Sequence, residues 1–80
     1  MGKKYEERVR ERKVSTEWRG KTYEGVRVIN GTNRLFQTIY YGGYSRFDSH
    51  RYSPGSECVM ECIAKVILCE MLEEIDRNRT

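Results

Sequence analysis

The carboxyl-terminal third of the chain has a hydrophobic pattern that predicts one long helix, from about Pro54 to Arg77. Ser53 suits the N-cap position, Pro54 the first helical position, and Glu57 the first turn, where a negative charge favours the exposed N–H groups. At about 100° per residue, one apolar stripe contains Met60, Ala64, Ile67, Leu68, Met71 and Ile75. We expect this stripe to pack on the rest of the protein.

A second stripe of the same predicted helix is also apolar. It consists of Cys58, Val59, Cys62, Val66 and Cys69. A helix that packs on a single sheet needs only one apolar stripe, so the second one predicts contact with another surface. We predict that this second stripe is the interface of a homodimer, or that it binds a partner protein.

Upstream of the helix, two turn signals predict an antiparallel meander. They are Asn30-Gly31-Thr32-Asn33 and Gly42-Gly43, and β-branched and aromatic residues flank both. The predicted strands run from Thr22 to Ile29, from Arg34 to Tyr41 and from Tyr44 to Asp48, with a further strand near Val14 to Arg19 that would pair through a Gly20-Lys21 turn.

The predicted fold class is therefore α+β, with a three- to four-stranded antiparallel meander packed against one long C-terminal helix. Eighty residues make a single small domain, residues 1–80, with the sheet in 14–52 and the helix in 54–77. Residues 1–13 form a charged arm that alternates basic and acidic side chains. A frayed helix, an edge strand and a flexible arm all remain open for this segment.

The lengths of the hairpin loops separate the two faces of the predicted sheet. A loop of even length at Asn30 places Val26 and Val28 on the side of Leu35 and Ile39, and we expect this side to receive the helix. The other side combines aromatic rings with guanidinium groups, and its predicted binding residues are Tyr23, Arg27, Arg34, Phe36, Tyr40 and Phe47. A loop of odd length would exchange the faces of one strand.

Aromatic rings offer flat platforms for bases, and neighbouring Arg side chains can neutralise phosphates. The leading hypothesis is a small non-enzymatic dimer that presents a basic aromatic sheet face to nucleic acid or a nucleotide-like anion. The alternative is a small inhibitor or adaptor, of the kind that phages and mobile elements encode, which binds and blocks a host protein. A third possibility is purely structural, with Trp18 and the amino-terminal segment packed over these rings.

Charge is distributed unevenly along the chain. The net charge is +3, but residues 1–55 contain 12 Lys and Arg against 6 Asp and Glu, whereas residues 56–80 contain 3 against 6. The amino-terminal part therefore has a charge of +6 and the helical part a charge of −3. This asymmetry predicts that nucleic acid or an acidic protein surface meets the amino-terminal part.

The three cysteines do not form the pattern of a secreted disulfide framework, because their number is odd and they follow an i, i+4, i+11 spacing. We predict reduced thiols and an intracellular, cytoplasmic protein. Cys58 and Cys69 would lie roughly 16 Å apart along a helix, too far to share one ion. We therefore predict no metal site and no cofactor.

The sequence contains no recognisable catalytic motif around its single histidine, His50. Asp48 lies two residues earlier, and we interpret the two side chains as a structural hydrogen bond rather than as a catalytic pair. We accordingly predict that the protein is not an enzyme. No apolar run reaches the roughly 18 residues that a membrane-spanning helix needs, so we also predict a soluble protein that does not contact membranes.

Overall fold

The computed structural model describes residues 9–79, which form a four-stranded antiparallel sheet and one helix. The elements are β1 (Val9–Trp18), β2 (Lys21–Asn30), β3 (Leu35–Tyr41), β4 (Tyr44–Tyr52) and α1 (Glu57–Asn78). The spatial order of the strands is β1-β2-β3-β4. The predicted α+β meander packed against a helix is therefore confirmed. Residues 9–13 of the predicted arm belong to β1, and its first eight residues lie outside the described part of the chain.

Two of the three hairpin connections are tight two-residue turns. In the β1–β2 hairpin Trp18 pairs with Lys21, so the turn is Arg19-Gly20, one residue earlier than predicted. Arg19 and Gly20 have φ values of 53° and 80°. Two successive positive φ values are typical of a type I′ turn, whose twist matches that of the two strands it connects. In the β3–β4 hairpin Tyr41 pairs with Tyr44, which confirms the predicted Gly42-Gly43 turn.

An odd number of residues separates the last paired residue of β2 from its partner in β3, and this reverses the faces that were predicted for β2. Asn30 pairs with Phe36, which leaves five residues, 31–35, between the paired positions. Gly31 has a φ of 109°, and a Cβ at this position would lie 2.1 Å from the carbonyl oxygen of Arg34. This compact turn shifts the register by one residue. The prediction that Val26 and Val28 receive the helix is therefore wrong.

The core lies between α1 and the sheet face that it covers. The predicted stripe is buried at Met60, Ala64, Ile67, Leu68 and Met71, while Ile75 is half-buried and Leu72 is an additional buried residue. From the sheet the buried apolar side chains are Val14, Ile29, Leu35, Ile39 and Tyr52. The periodicity of the helix thus correctly identified the side that packs on the sheet.

The helix begins three residues later than the sequence predicted. Gly55 has a φ of 99°, in the left-handed region, and the N–H of Ser56 donates to the carbonyl oxygen of Ser53 at 3.1 Å. Ser53 and Pro54 therefore belong to a turn, and Ser56 occupies the N-cap position without a side-chain capping hydrogen bond. Within residues 9–79, no helix combines the length and the apolar content that crossing a bilayer requires.

Candidate binding surface

None of the described residues covers the side of the sheet opposite α1, and we call this side the open face. Along each strand, side chains on the open face alternate with side chains on the covered side, as the pleat of a sheet requires. On β1 and β2 it contains charged and aliphatic side chains, and on β3 and β4 it contains aromatic and small polar ones. Its members include Glu11, Lys13, Glu17, Glu24, Val26, Val28, Phe36, Thr38, Tyr40, Ser45 and Phe47.

Three aromatic and two aliphatic side chains lie around Thr38 on this face, and we call them the aromatic patch: Phe36, Tyr40, Phe47, Val26 and Val28. The rings of Phe36 and Phe47 are stacked, with centroids 6.3 Å apart and an interplanar angle of 24°. Phe47 is 58% exposed and Tyr40 is 45% exposed. Val26 lies directly opposite Tyr40 in the register. The patch therefore presents large apolar side chains to solvent within the described structure.

A shallow groove runs beside the stacked rings. Its lining consists of Asn30, Phe36, Thr38 and Phe47. Thr38 and Phe47 face each other across the β3–β4 ladder, and Asn30 and Phe36 do so across the β2–β3 ladder. The groove thus offers two ring faces, one hydroxyl and one amide, which suit an apolar side chain bordered by polar groups.

Among residues 9–79, the open face has no excess of positive charge. Lys13 is accompanied by three exposed carboxylates on β1 and β2, those of Glu11, Glu17 and Glu24. Arg34 is exposed in the loop before β3, and Arg51 is exposed on β4 next to the buried Tyr52, which pairs with Leu35. Basic and acidic side chains therefore balance, with the two arginines near one end of the aromatic patch.

Two of the six predicted binding residues lie on the covered side instead. Arg27 is 4% exposed, because the loop register turns it toward the helix, where its Nε and Nη1 atoms have no hydrogen-bond partner among the described residues. Tyr23 packs edge-on against Trp18, at 5.9 Å between centroids, and against Tyr41 at 6.3 Å. The prediction that these two side chains lie on the same face of the sheet as Phe36, Tyr40 and Phe47 is therefore wrong. Phe36, Tyr40, Phe47 and Arg34 remain candidates.

The second stripe of the helix faces away from the sheet over most of its length. Val59 and Val66 are each 54% exposed, and Cys58 and Cys62 are exposed free thiols. Cys69 differs, because it is half-buried with its Sγ atom 3.2 Å from Oγ1 of Thr16 on β1. Within residues 9–79 no group of three or more potential metal ligands is clustered. The homodimer through this stripe stays a prediction.

A buried polar cluster connects the covered face of the sheet to the helix. The carboxylate of Asp48, which is 2% exposed, accepts hydrogen bonds from Gln37 Nε2 at 2.9 Å and from the Tyr52 hydroxyl at 2.5 Å. The backbone N–H and the Nδ1 atom of His50 bind its other oxygen at 3.0 and 2.8 Å. Gln37 Nε2 also donates to the carbonyl oxygen of Met60 at 3.0 Å, so the cluster fixes the helix to β3.

The pKa values of the cluster follow from its hydrogen bonds and its burial. Burial alone would raise the pKa of Asp48, but the hydrogen bonds from Gln37, Tyr52 and His50 together hold it below its ordinary value. Burial, followed by the hydrogen bond to Asp48 and the charge of Asp48, raises the pKa of Tyr52. Asp48 is thus a fully hydrogen-bonded carboxylate beneath the helix, as the structural interpretation of the Asp48–His50 pair expects. No motif in the sequence indicated that Gln37 and Tyr52 would join this pair.

No protein-family model, curated protein or solved structure matches the chain.

Proposed function

We propose that this protein is a small, non-enzymatic binding protein and that its aromatic patch receives a partner protein. The exposed stack of Phe36 and Phe47 is the observation that supports this most directly. Contiguous apolar patches on an exposed surface are typical of interaction sites. Aromatic side chains are enriched, and charged ones depleted, at the centres of protein interfaces, as they are around these two rings.

The charge of the open face favours a protein over a nucleic acid. Affinity for nucleic acid depends on the number of phosphates that basic side chains neutralise. Arg27 is buried on the covered side, and Lys13 shares the open face of β1 and β2 with three glutamates. Arg34 and Arg51 are then the remaining cations near the aromatic patch among the described residues, and two arginines at the end of a patch whose centre has no charged side chain suit a protein interface.

Capture from an extract of the cells that make the protein tests this proposal. The purified wild type and the double variant F36S/F47S are immobilised at equal density, and the retained proteins are quantified by mass spectrometry. We expect at least one protein to be retained roughly tenfold less by the variant, because aromatic side chains at the centre of an interface typically contribute 1 kcal/mol or more each. Both positions are exposed or half-exposed, so the variant should fold, which circular dichroism checks.

The matched control changes two apolar side chains of similar exposure on the helix, in the variant V59S/V66S. This control should retain the same partner as the wild type. If a folded F36S/F47S protein retains every partner at wild-type level, the proposal is wrong. If V59S/V66S alone loses the partner, the binding surface is the helix stripe.

Single-stranded nucleic acid is the second candidate, which the near-parallel rings of Phe36 and Phe47 favour because successive bases stack on such platforms. Fluorescence polarisation with a labelled thymidine oligonucleotide at low salt tests it. With Arg34 and Arg51 as the two phosphate contacts, the logarithm of the affinity should fall against the logarithm of the salt concentration with a slope of about −1.4. Binding with this slope that F36S/F47S abolishes would replace the protein partner by nucleic acid. No binding at low salt would exclude the second candidate.

A further inference from the structure

Within residues 9–79, strand β1 forms one edge of the sheet, and its pairing with β2 is regular along its whole length. All ten of its residues pair with β2 without a bulge, and none is proline. The other edge strand, β4, has an irregular register between Leu35 and Gln37 of β3 and thus lacks a regular edge over its second half. An edge of this length exposes a row of unpaired N–H and C=O groups, which form a template for pairing with another strand.

The charges of β1 decide which strand fits this edge. We propose that β1 pairs antiparallel with β1 of a second copy of this chain, around a two-fold axis at Ser15. This register extends the four-stranded sheet across two protomers with both helices on the same side. The inference is independent of what the aromatic patch binds.

In this register the charged side chains of the open face complement each other. Lys13 lies opposite Glu17 of the partner subunit, and Glu17 lies opposite Lys13 of the partner subunit, so the two-fold axis creates two ion pairs. Both side chains are exposed in the single chain and have no ion-pair partner among the described residues. Opposite charges directly across a ladder are favourable, and like charges are unfavourable.

The covered side of the same register is also compatible. Val14 lies opposite Thr16 of the partner subunit, and both residue types are common in strands. Arg12 lies opposite Trp18 of the partner subunit, and its guanidinium group can contact that ring. The Trp18 ring already accepts one such contact within the chain, since the Arg19 guanidinium carbon lies 4.6 Å from its centroid.

Neighbouring registers are less favourable, which makes the Ser15 register specific. When both helices lie on one side of the joined sheet, the two-fold axis passes through a residue position. The nearest alternatives to Ser15 are therefore Val14 and Thr16. With the axis at Val14, Glu11 lies opposite Glu17 of the partner subunit. With the axis at Thr16, the ladder between the two copies of β1 shortens from residues 12–18 to residues 14–18, and Lys13 lies opposite the turn residue Arg19 of the partner subunit. The first alternative places like charges across the ladder, and the second loses paired residues together with both ion pairs.

Charge reversal tests the inference through the mass in solution, measured by light scattering at micromolar concentrations and low salt. The wild type should be dimeric. K13E and E17K should each weaken the dimer by roughly tenfold or more, because each change converts both attractive pairs into repulsive pairs. The double variant K13E/E17K restores opposite charges at both pairs, so it should be dimeric again. Circular dichroism confirms that each variant is folded.

The decisive experiment mixes the two single variants, K13E and E17K. A K13E protomer and an E17K protomer complement each other at both pairs, so the equimolar mixture should form a heterodimer although each variant alone is largely monomeric. The helix variant V66E should leave the dimer unchanged. A monomeric wild type, single variants that dimerise like the wild type, or a mixture that stays monomeric would each overturn the inference. A dimer that V66E dissociates and K13E does not would assign the interface to the helix stripe.

Discussion

At the scale of single residues, the structure gives Asp48 and Arg27 opposite environments on the same covered face. The Asp48 carboxylate has hydrogen-bond donors from three residues, including Gln37, which also contacts the helix. Arg27 is equally buried, but two of its nitrogen atoms lack partners among the described residues. Buried charges are tolerated when they are fully hydrogen-bonded and are costly otherwise. Replacement by an uncharged residue should therefore change the free energy of unfolding differently at the two positions.

Replacing Asp48 by Asn should destabilise the fold at neutral pH by about 1–3 kcal/mol, because the amide cannot accept every hydrogen bond that the carboxylate receives. The folded-state pKa of Asp48 is depressed, so its stabilisation is fully present above the ordinary carboxyl pKa of about 4 and is lost as the pH falls through the depressed value. Urea unfolding between neutral and acid pH should thus show the two proteins converging at low pH. A constant difference across this range would contradict the assignment.

Replacing Arg27 by Met should leave the free energy of unfolding unchanged or raise it. The substitution keeps most of the length of the side chain and removes a buried cation that forms no ion pair within the described structure. Retention of the partner protein should also be unaffected, because Arg27 lies on the side of the helix. A loss of stability above about 2 kcal/mol would show that the guanidinium group has a strong partner.

At the scale of elements, the helix was predictable because its pattern repeats over six turns, so the three-residue error at its start leaves the predicted buried stripe unchanged. The face of β2 was not predictable, because it depends on whether an even or an odd number of residues separates Asn30 from its partner. The Asn30-Gly31 signal locates the turn without fixing that number. The sequence therefore correctly placed Phe36, Tyr40 and Phe47 on the open face and misplaced Tyr23 and Arg27.

The two stripes of α1 should differ strongly in their response to truncation. Leu68 is fully buried under the sheet, so L68A should cost about 2–5 kcal/mol. Val66 is 54% exposed, so V66A should change the free energy of unfolding by about 0.5 kcal/mol or less in the isolated chain. Chemical denaturation of both variants measures the difference. Similar losses for both would mean that Val66 is buried in the protein in solution.

At the scale of the whole molecule, three surfaces face in different directions. The aromatic patch lies on one side of the sheet, the cysteine and valine stripe of α1 lies beyond the other side, and the edge of β1 lies between them. A dimer through β1 would place two aromatic patches on the same side of one continuous sheet. Such a pair could bind two partner molecules, or one partner with two-fold symmetry, with gains from avidity.

Site-specific photo-cross-linking tests the binding role of the open face most directly. A benzophenone amino acid is placed at Tyr40, beside the stacked rings, and in a matched protein at Val66 on the helix, a position of similar exposure. After irradiation in the cells that make the protein, we expect a discrete adduct with a partner protein from position 40 and none with that partner from position 66. If the partner protein is cross-linked from position 66 and not from position 40, the proposal is contradicted. Cross-linking of nucleic acid from position 40 would also contradict it.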